Sequence, residues 1–157
     1  MPGSQRIGSL TLDEKNIVAW SPVVAHERTV AMTDLLDDNH FILRQYPAAG
    51  PYSVFLSVPE GRLRLEVGSM AGEVLETVIL PMRPFQQAIK EYLMVCEAYY
   101  AVPARGSEQM ETLDMGRRSL HNDSASILQQ LLAEQVELDH ATARRLFTLI
   151  CVLHLKG

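Results

Sequence analysis

The stretch Asp114-Met115-Gly116-Arg117-Arg118-Ser119-Leu120-His121-Asn122 gathers side chains that could do chemistry. On a continuous helix Asp114, Arg117, Arg118 and His121 share one face, at spacings of i, i+3, i+4 and i+7. Asn122 follows, and a fresh helix start beside two guanidinium groups and an imidazole could hold an anion: a phosphate, a carboxylate or a partner's acidic side chain. Asp114 would then orient an arginine or the ring. The plainer alternative has Arg117 and Arg118 in salt bridges to Glu97, Glu27 or Asp114, stitching helices to sheet. The spacing matches no defined catalytic motif.

Other polar residues interrupt apolar patterns. Arg28 projects into an arc of Val24, Ala25, Ala31, Met32, Leu35 and Leu36. A guanidinium there either snorkels to water or is paired, because an unpaired buried charge costs several kcal/mol. Beside it, His26-Glu27 lacks the second histidine of a zinc-protease HExxH motif. Arg144 and Arg145 mark the first turns of the last helix, and His154 shares an arc with Ala143, Phe147 and Ile150, as a core histidine would. Glu97, on a tyrosine-rich helix, could act as a general base if it met His121. There is no GxSxG elbow, GxxxxGK[ST] loop or GxGxxG turn. The histidines at 26, 121 and 154 have no metal-ligand spacing, so neither a metal nor a cofactor is expected.

The expected function is therefore a non-enzymatic binding or interaction domain. Its polar site draws on Arg28, Glu97, Asp114, Arg117, Arg118, His121 and Asn122, with His26, Glu27, Arg144, Arg145 and His154 as secondary candidates. The alternative is an enzyme acting on an anionic metabolite, with His121 or Glu97 as acid/base and Arg117 and Arg118 as clamp. That alternative needs His121 and Glu97 within hydrogen-bond or one-water reach.

The elements that must position these residues divide into a strand-rich first half (7–81) and a helical second half (84–155), read as a single α+β domain over 1–157. Leu10 and Leu12 alternate with polar neighbours in a strand at 7–13. Ser21-Pro22 starts a helix running to about Asp38. Phe41 to Tyr46, Tyr52 to Val58, Arg62 to Val67 and Val74 to Leu80 complete a mainly antiparallel meander of about five strands. About four helices follow. Phe85, Ile89, Tyr92, Leu93, Cys96, Tyr99 and Tyr100 form one stripe; Ser107, Asn122 or Asp123, and Asp139 cap the later helices. The run Leu146 to Leu153 is apolar nearly all round, which places it at the centre of a core or in a homo-oligomer interface.

Composition narrows the partners. The chain has 157 residues, 47% hydrophobic and 21% charged, in the globular range. Net charge is −5, with 14 basic against 19 acidic residues, which argues against nucleic acid as the main partner. No apolar stretch approaches the ~20 residues of a membrane span. Cys96 and Cys151, each within an apolar helical pattern, read as reduced core thiols, and no signal peptide opens the chain, so a cytoplasmic setting is expected.

At these same segments the sequence resembles UPF-0262, an uncharacterised family of bacterial proteins found mainly in alphaproteobacteria. The resemblance is carried by Ser21-Pro22, His26-Glu27-Arg28, Asp34-Leu35-Leu36, Gly50-Pro51-Tyr52, Cys96-Glu97 with Tyr99-Tyr100, Asp114 to Arg118, Leu120-His121-Asn122, and Ala143 to His154. Ser119 stands where the family pattern has glycine. The resemblance implies a bacterial cytoplasmic setting and supplies no catalytic residues, cofactor or substrate.

Overall fold

Strict alternation of apolar and polar residues makes the strands. A computed structural model describes residues 4–14, 22–101 and 107–154. The Ser21 cap, the loop expected at 103–106 and the side chains of Tyr99, Tyr100 and His154 lie outside the described residues. In β3 (Tyr52–Ser57) Tyr52, Val54 and Leu56 face inward, and in β4 (Arg62–Ser69) Leu63, Leu65 and Val67 do the same. These pair antiparallel, as do β4 and β5 (Val74–Pro81), with Leu65 opposite Val78 and Leu63 opposite Leu80.

The sheet is mixed, contrary to the meander expected from the alternation alone. β1 (Ile7–Leu12) lies parallel to β3, giving the order β1-β3-β4-β5. Strand periodicity reports which face is buried and is silent about direction. The direction is set by the long connection through α1 (Pro22–Asp37) and β2 (Phe41–Leu43). Asn39 fixes that return: its Nδ2 donates to the carbonyls of Ile7 (3.1 Å) and Leu35 (2.8 Å), and its Oδ1 accepts from the Ile7 N–H (2.7 Å). At Gly50, before Pro51, a Cβ would fall 1.7 Å from the Ser4 carbonyl oxygen, so no side chain fits. The short β2 leaves the main sheet and pairs antiparallel with β6 (Val136–Leu138), a strand the sequence reading does not include.

Three helices follow the sheet among the described residues, where about four were expected. After a 3-10 turn at Arg83–Phe85 comes α2 (Gln86–Ala101), burying Ile89, Tyr92 and Cys96. Next, α3 (Ser107–Leu132) runs unbroken through Asn122 and Asp123, the expected point of a new start. Leu120, Ala125, Leu128 and Leu132 continue one inward stripe across that point, and the packing of this stripe outweighs the capping preference of Asn and Asp. Asp139 does cap α4 (His140–His154), with Oδ1 accepting the Thr142 N–H at 2.9 Å.

Leu146 through Leu153 of α4 are buried against the chain itself. Apart from Thr148 and Val152, they belong to one hydrophobic cluster with the inner faces of β1, β3, β4 and β5 and with α1, α2 and α3. The face offered above for a homo-oligomer is thus covered within one chain.

Gly116, inside α3, has open space where a Cβ would stand. We predict that Gly116→Ala stabilises the protein by about 0.5–1 kcal/mol, read by urea denaturation, since a helix-interior glycine loses backbone freedom without compensation.

Candidate functional site

Four helices line a cleft of about 230 Å³. Three present residues at helical spacing. α1 gives Glu27, Val30, Ala31 and Asp34; α3 gives Arg117, Arg118 and His121; α4 gives Arg144, Arg145 and Thr148; and Tyr92 comes from α2. Four arginines thus face two carboxylates.

The deepest of these interactions is built on Glu27, whose side chain is only 12% exposed. Arg117 Nη1 donates to its Oε1 at 3.0 Å. The Cys96 thiol lies 3.5 Å from the same oxygen and the Tyr92 hydroxyl 3.5 Å from Oε2. Arg117 Nη2 donates to Asp114 Oδ1 at 3.1 Å, and the other oxygen of Asp114 takes Arg118 at 3.0 Å. Arg117 therefore joins α1 to α3, the salt-bridge alternative raised for it, with Asp114 orienting both arginines. Burial, reinforced by the Glu27 charge, pushes the Cys96 thiol up to about 12. Burial likewise lifts the Tyr92 hydroxyl and the Cys151 thiol well above their ordinary ranges. None of the three is a thiolate or phenolate near neutral pH.

His121 sits on the other side of Tyr92, ring centroids 5.0 Å apart, with Phe147 at 6.1 Å. Its Nε2 lies 2.9 Å from the Arg144 carbonyl oxygen and 2.6 Å from Thr148 Oγ1. A carbonyl only accepts, so Nε2 carries the proton and Nδ1 is the acceptor nitrogen of a neutral ring. Burial, followed by the nearby Arg144 guanidinium, lowers its pKa to about 4, with smaller contributions from Arg117 and His140 and opposition from the Arg144 carbonyl.

Arg144 is the unmatched group. Its Nε is buried and has no hydrogen-bond partner among the described residues, and the residue is one of those lining the cleft. Arg145 is anchored by Nη1 donating to the Asp38 carbonyl at 2.8 Å.

Several expected site residues lie elsewhere. Arg28 is paired by two bonds to Glu14 (Nε to Oε2, 2.6 Å; Nη2 to Oε1, 2.9 Å) and does not line the cleft. His26 is exposed. Asn122 is exposed and does not line the cleft, and its backbone carbonyl accepts from His140 Nε2 at 3.1 Å. Glu97 is exposed and absent from the cleft lining, so the carboxylate that shares the cleft with His121 on this side is Glu27, and the Glu97–His121 acid/base pair is not formed. The physical reason is rotation about α2: Cys96 faces in, and its neighbour Glu97 is turned about 100° away. Among the described residues no group of three or more His, Cys, Asp and Glu is placed to hold a metal ion. Asp34, Thr148 and Tyr92 were not picked out as site residues. The seven-residue spacing of Glu27 and Asp34 was a signal for Asp34, since it places two acids on one helical stripe.

Two outcomes follow from this geometry. Arg117→Met removes the guanidinium bonded to the largely buried Glu27 and destabilises the fold by about 3 kcal/mol in urea denaturation, whereas Arg118→Gln, at an exposed pair, changes stability by no more than about 0.5 kcal/mol. Unfolding raises the His121 pKa from about 4 to 6.5, so in that window the unfolded chain takes up a proton that the native ring refuses. The stability due to this neutral ring is fully present above pH 6.5 and falls as pH drops towards 4, by roughly 3 kcal/mol. Denaturation at a series of pH values shows that slope in the native sequence and a flatter one in His121→Gln.

Known proteins share the whole chain. The family model described as "Uncharacterised protein family (UPF0262)" matches residues 4–156. A UPF0262 protein of Rhodospirillum rubrum is 46% identical over 149 residues, covering 94% of this chain and 91% of its own. One from Sphingopyxis alaskensis is 46% identical over 160 residues, covering 99% and 97%, and one from Xanthobacter autotrophicus 43% over 155 residues, covering 98% and 94%. These names indicate no catalytic activity either way. No solved structure matches the chain. With the family model spanning almost every residue and these relatives aligned end to end, the chain belongs to the UPF0262 family.

Proposed function

We propose that this protein is a non-enzymatic, cytoplasmic binding domain whose α1/α3/α4 cleft takes an oxyanion, presented by an acidic partner side chain or a small anionic molecule. One observation carries the reading: Arg144, a residue of the cleft lining, has a buried Nε that no described residue accepts from. A buried donor left unmade costs about 1–3 kcal/mol, more when charged, and an oxyanion in the cleft removes that cost. Arg118 and Arg145 flank it, and His121, neutral near pH 7, adds no competing proton chemistry. Among the described residues Arg144 forms no ion pair, whereas Arg117 is engaged by Glu27 and Asp114.

The test is thermal unfolding in inorganic phosphate against chloride at matched ionic strength. The native protein gains several degrees in phosphate, since a ligand that binds only the folded state stabilises it. Arg144→Gln loses that gain while remaining folded. Equal melting in both salts, or an undiminished gain in Arg144→Gln, contradicts the reading.

A further inference from the structure

We propose that Asp114 is a tethered competitor for the cleft's anion, holding Arg118 in reserve until a ligand draws it away; this rests on the anion-site reading above. The Asp114 carboxylate is not among the described side chains that line the cleft, yet it binds two arginines that do. One oxygen takes Arg117 Nη2 at 3.1 Å and the other takes Arg118 Nη2 at 3.0 Å. The two arginines differ in what else holds them. Arg117 is also bonded to the buried Glu27 and is 23% exposed, so it stays in place whatever Asp114 does. Arg118 is 76% exposed, and among the described residues its ion pair is with Asp114 alone. A pair of this kind, four residues apart on a helix surface, is weak and exchanges readily with another anion. Asp114 thus imitates the anionic group the cleft accepts, and its charge also opposes the approach of a second anion to Arg118. A ligand seated on Arg144 recruits Arg118 by breaking one helix-surface pair, and Asp114 reclaims it when the ligand leaves.

Titration calorimetry with inorganic phosphate tests this on the full chain. Asp114→Asn tightens phosphate binding roughly fivefold, because it removes both the competing pair and a carboxylate charge beside the incoming anion. The double variant Asp114→Asn with Arg118→Gln returns to the native affinity or below. Asp123→Asn removes the same charge from an exposed position on the same helix and changes affinity less than about twofold, as expected for a screened charge. An unchanged or weakened affinity in Asp114→Asn overturns the proposal, as does an equal gain in Asp123→Asn, which would make the effect one of net charge. If the native protein binds phosphate and Arg144→Gln does not, such a result removes only the role of Asp114. If neither the native protein nor Asp114→Asn takes phosphate, the anion-site reading falls and this proposal with it. Asp114→Ser, read in the same way, serves if Asp114→Asn does not give the native circular dichroism spectrum.

Discussion

A carboxylate placed among Tyr92, Cys96 and the apolar side of α4 must be met by donors, and meeting Glu27 organises the helical half of this protein. The group that meets it, Arg117, comes from a different helix, and its second nitrogen turns to Asp114. One guanidinium thereby fixes the spacing of α1 and α3, and α4 fills the remaining side with Thr148 and the Arg144 carbonyl holding His121. Buried ion pairs are seldom strong net contributors against a hydrocarbon replacement, but removing one partner is costly. The pair therefore acts as a constraint on which helix faces meet.

That constraint has a consequence for the remaining charges. With Arg117 committed to Glu27, and Arg145 to the Asp38 carbonyl, the cleft keeps Arg144, with a buried nitrogen unanswered among the described residues, and Arg118 on a weak surface pair. Cys96, Cys151 and Tyr92 hold their protons through burial. No described helix is long and apolar enough to cross a membrane.

Much of this was legible in the residues, for physical reasons that also explain the gaps. Alternation in Tyr52–Ser57 and Arg62–Ser69 reports burial directly, so the strands were readable. Alternation carries nothing about direction, so the parallel pairing of β1 with β3 was not. The three residues of β6 are too few to show a period. The one-face grouping of Asp114, Arg117 and Arg118 followed from helical spacing, because it needs only local geometry. Which acid would face them depended on the rotation of α2 and the packing of α1: Glu97 and Glu27 were both named, and only the tertiary arrangement selects Glu27. Arg144 looked like an ordinary first-turn arginine, because an unanswered donor is a property of surroundings and leaves no mark on sequence.

A double-mutant cycle on Glu27 and Arg117 measures the organising interaction itself. Glu27→Gln, Arg117→Gln and the double variant, each taken through urea denaturation, give a coupling free energy. The account predicts a favourable coupling of about 1.5 kcal/mol or more, as found for close contacts away from bulk water, with the double variant less destabilised than the sum of the single ones. Effects that add to within about 0.5 kcal/mol would show two independent side chains and contradict it.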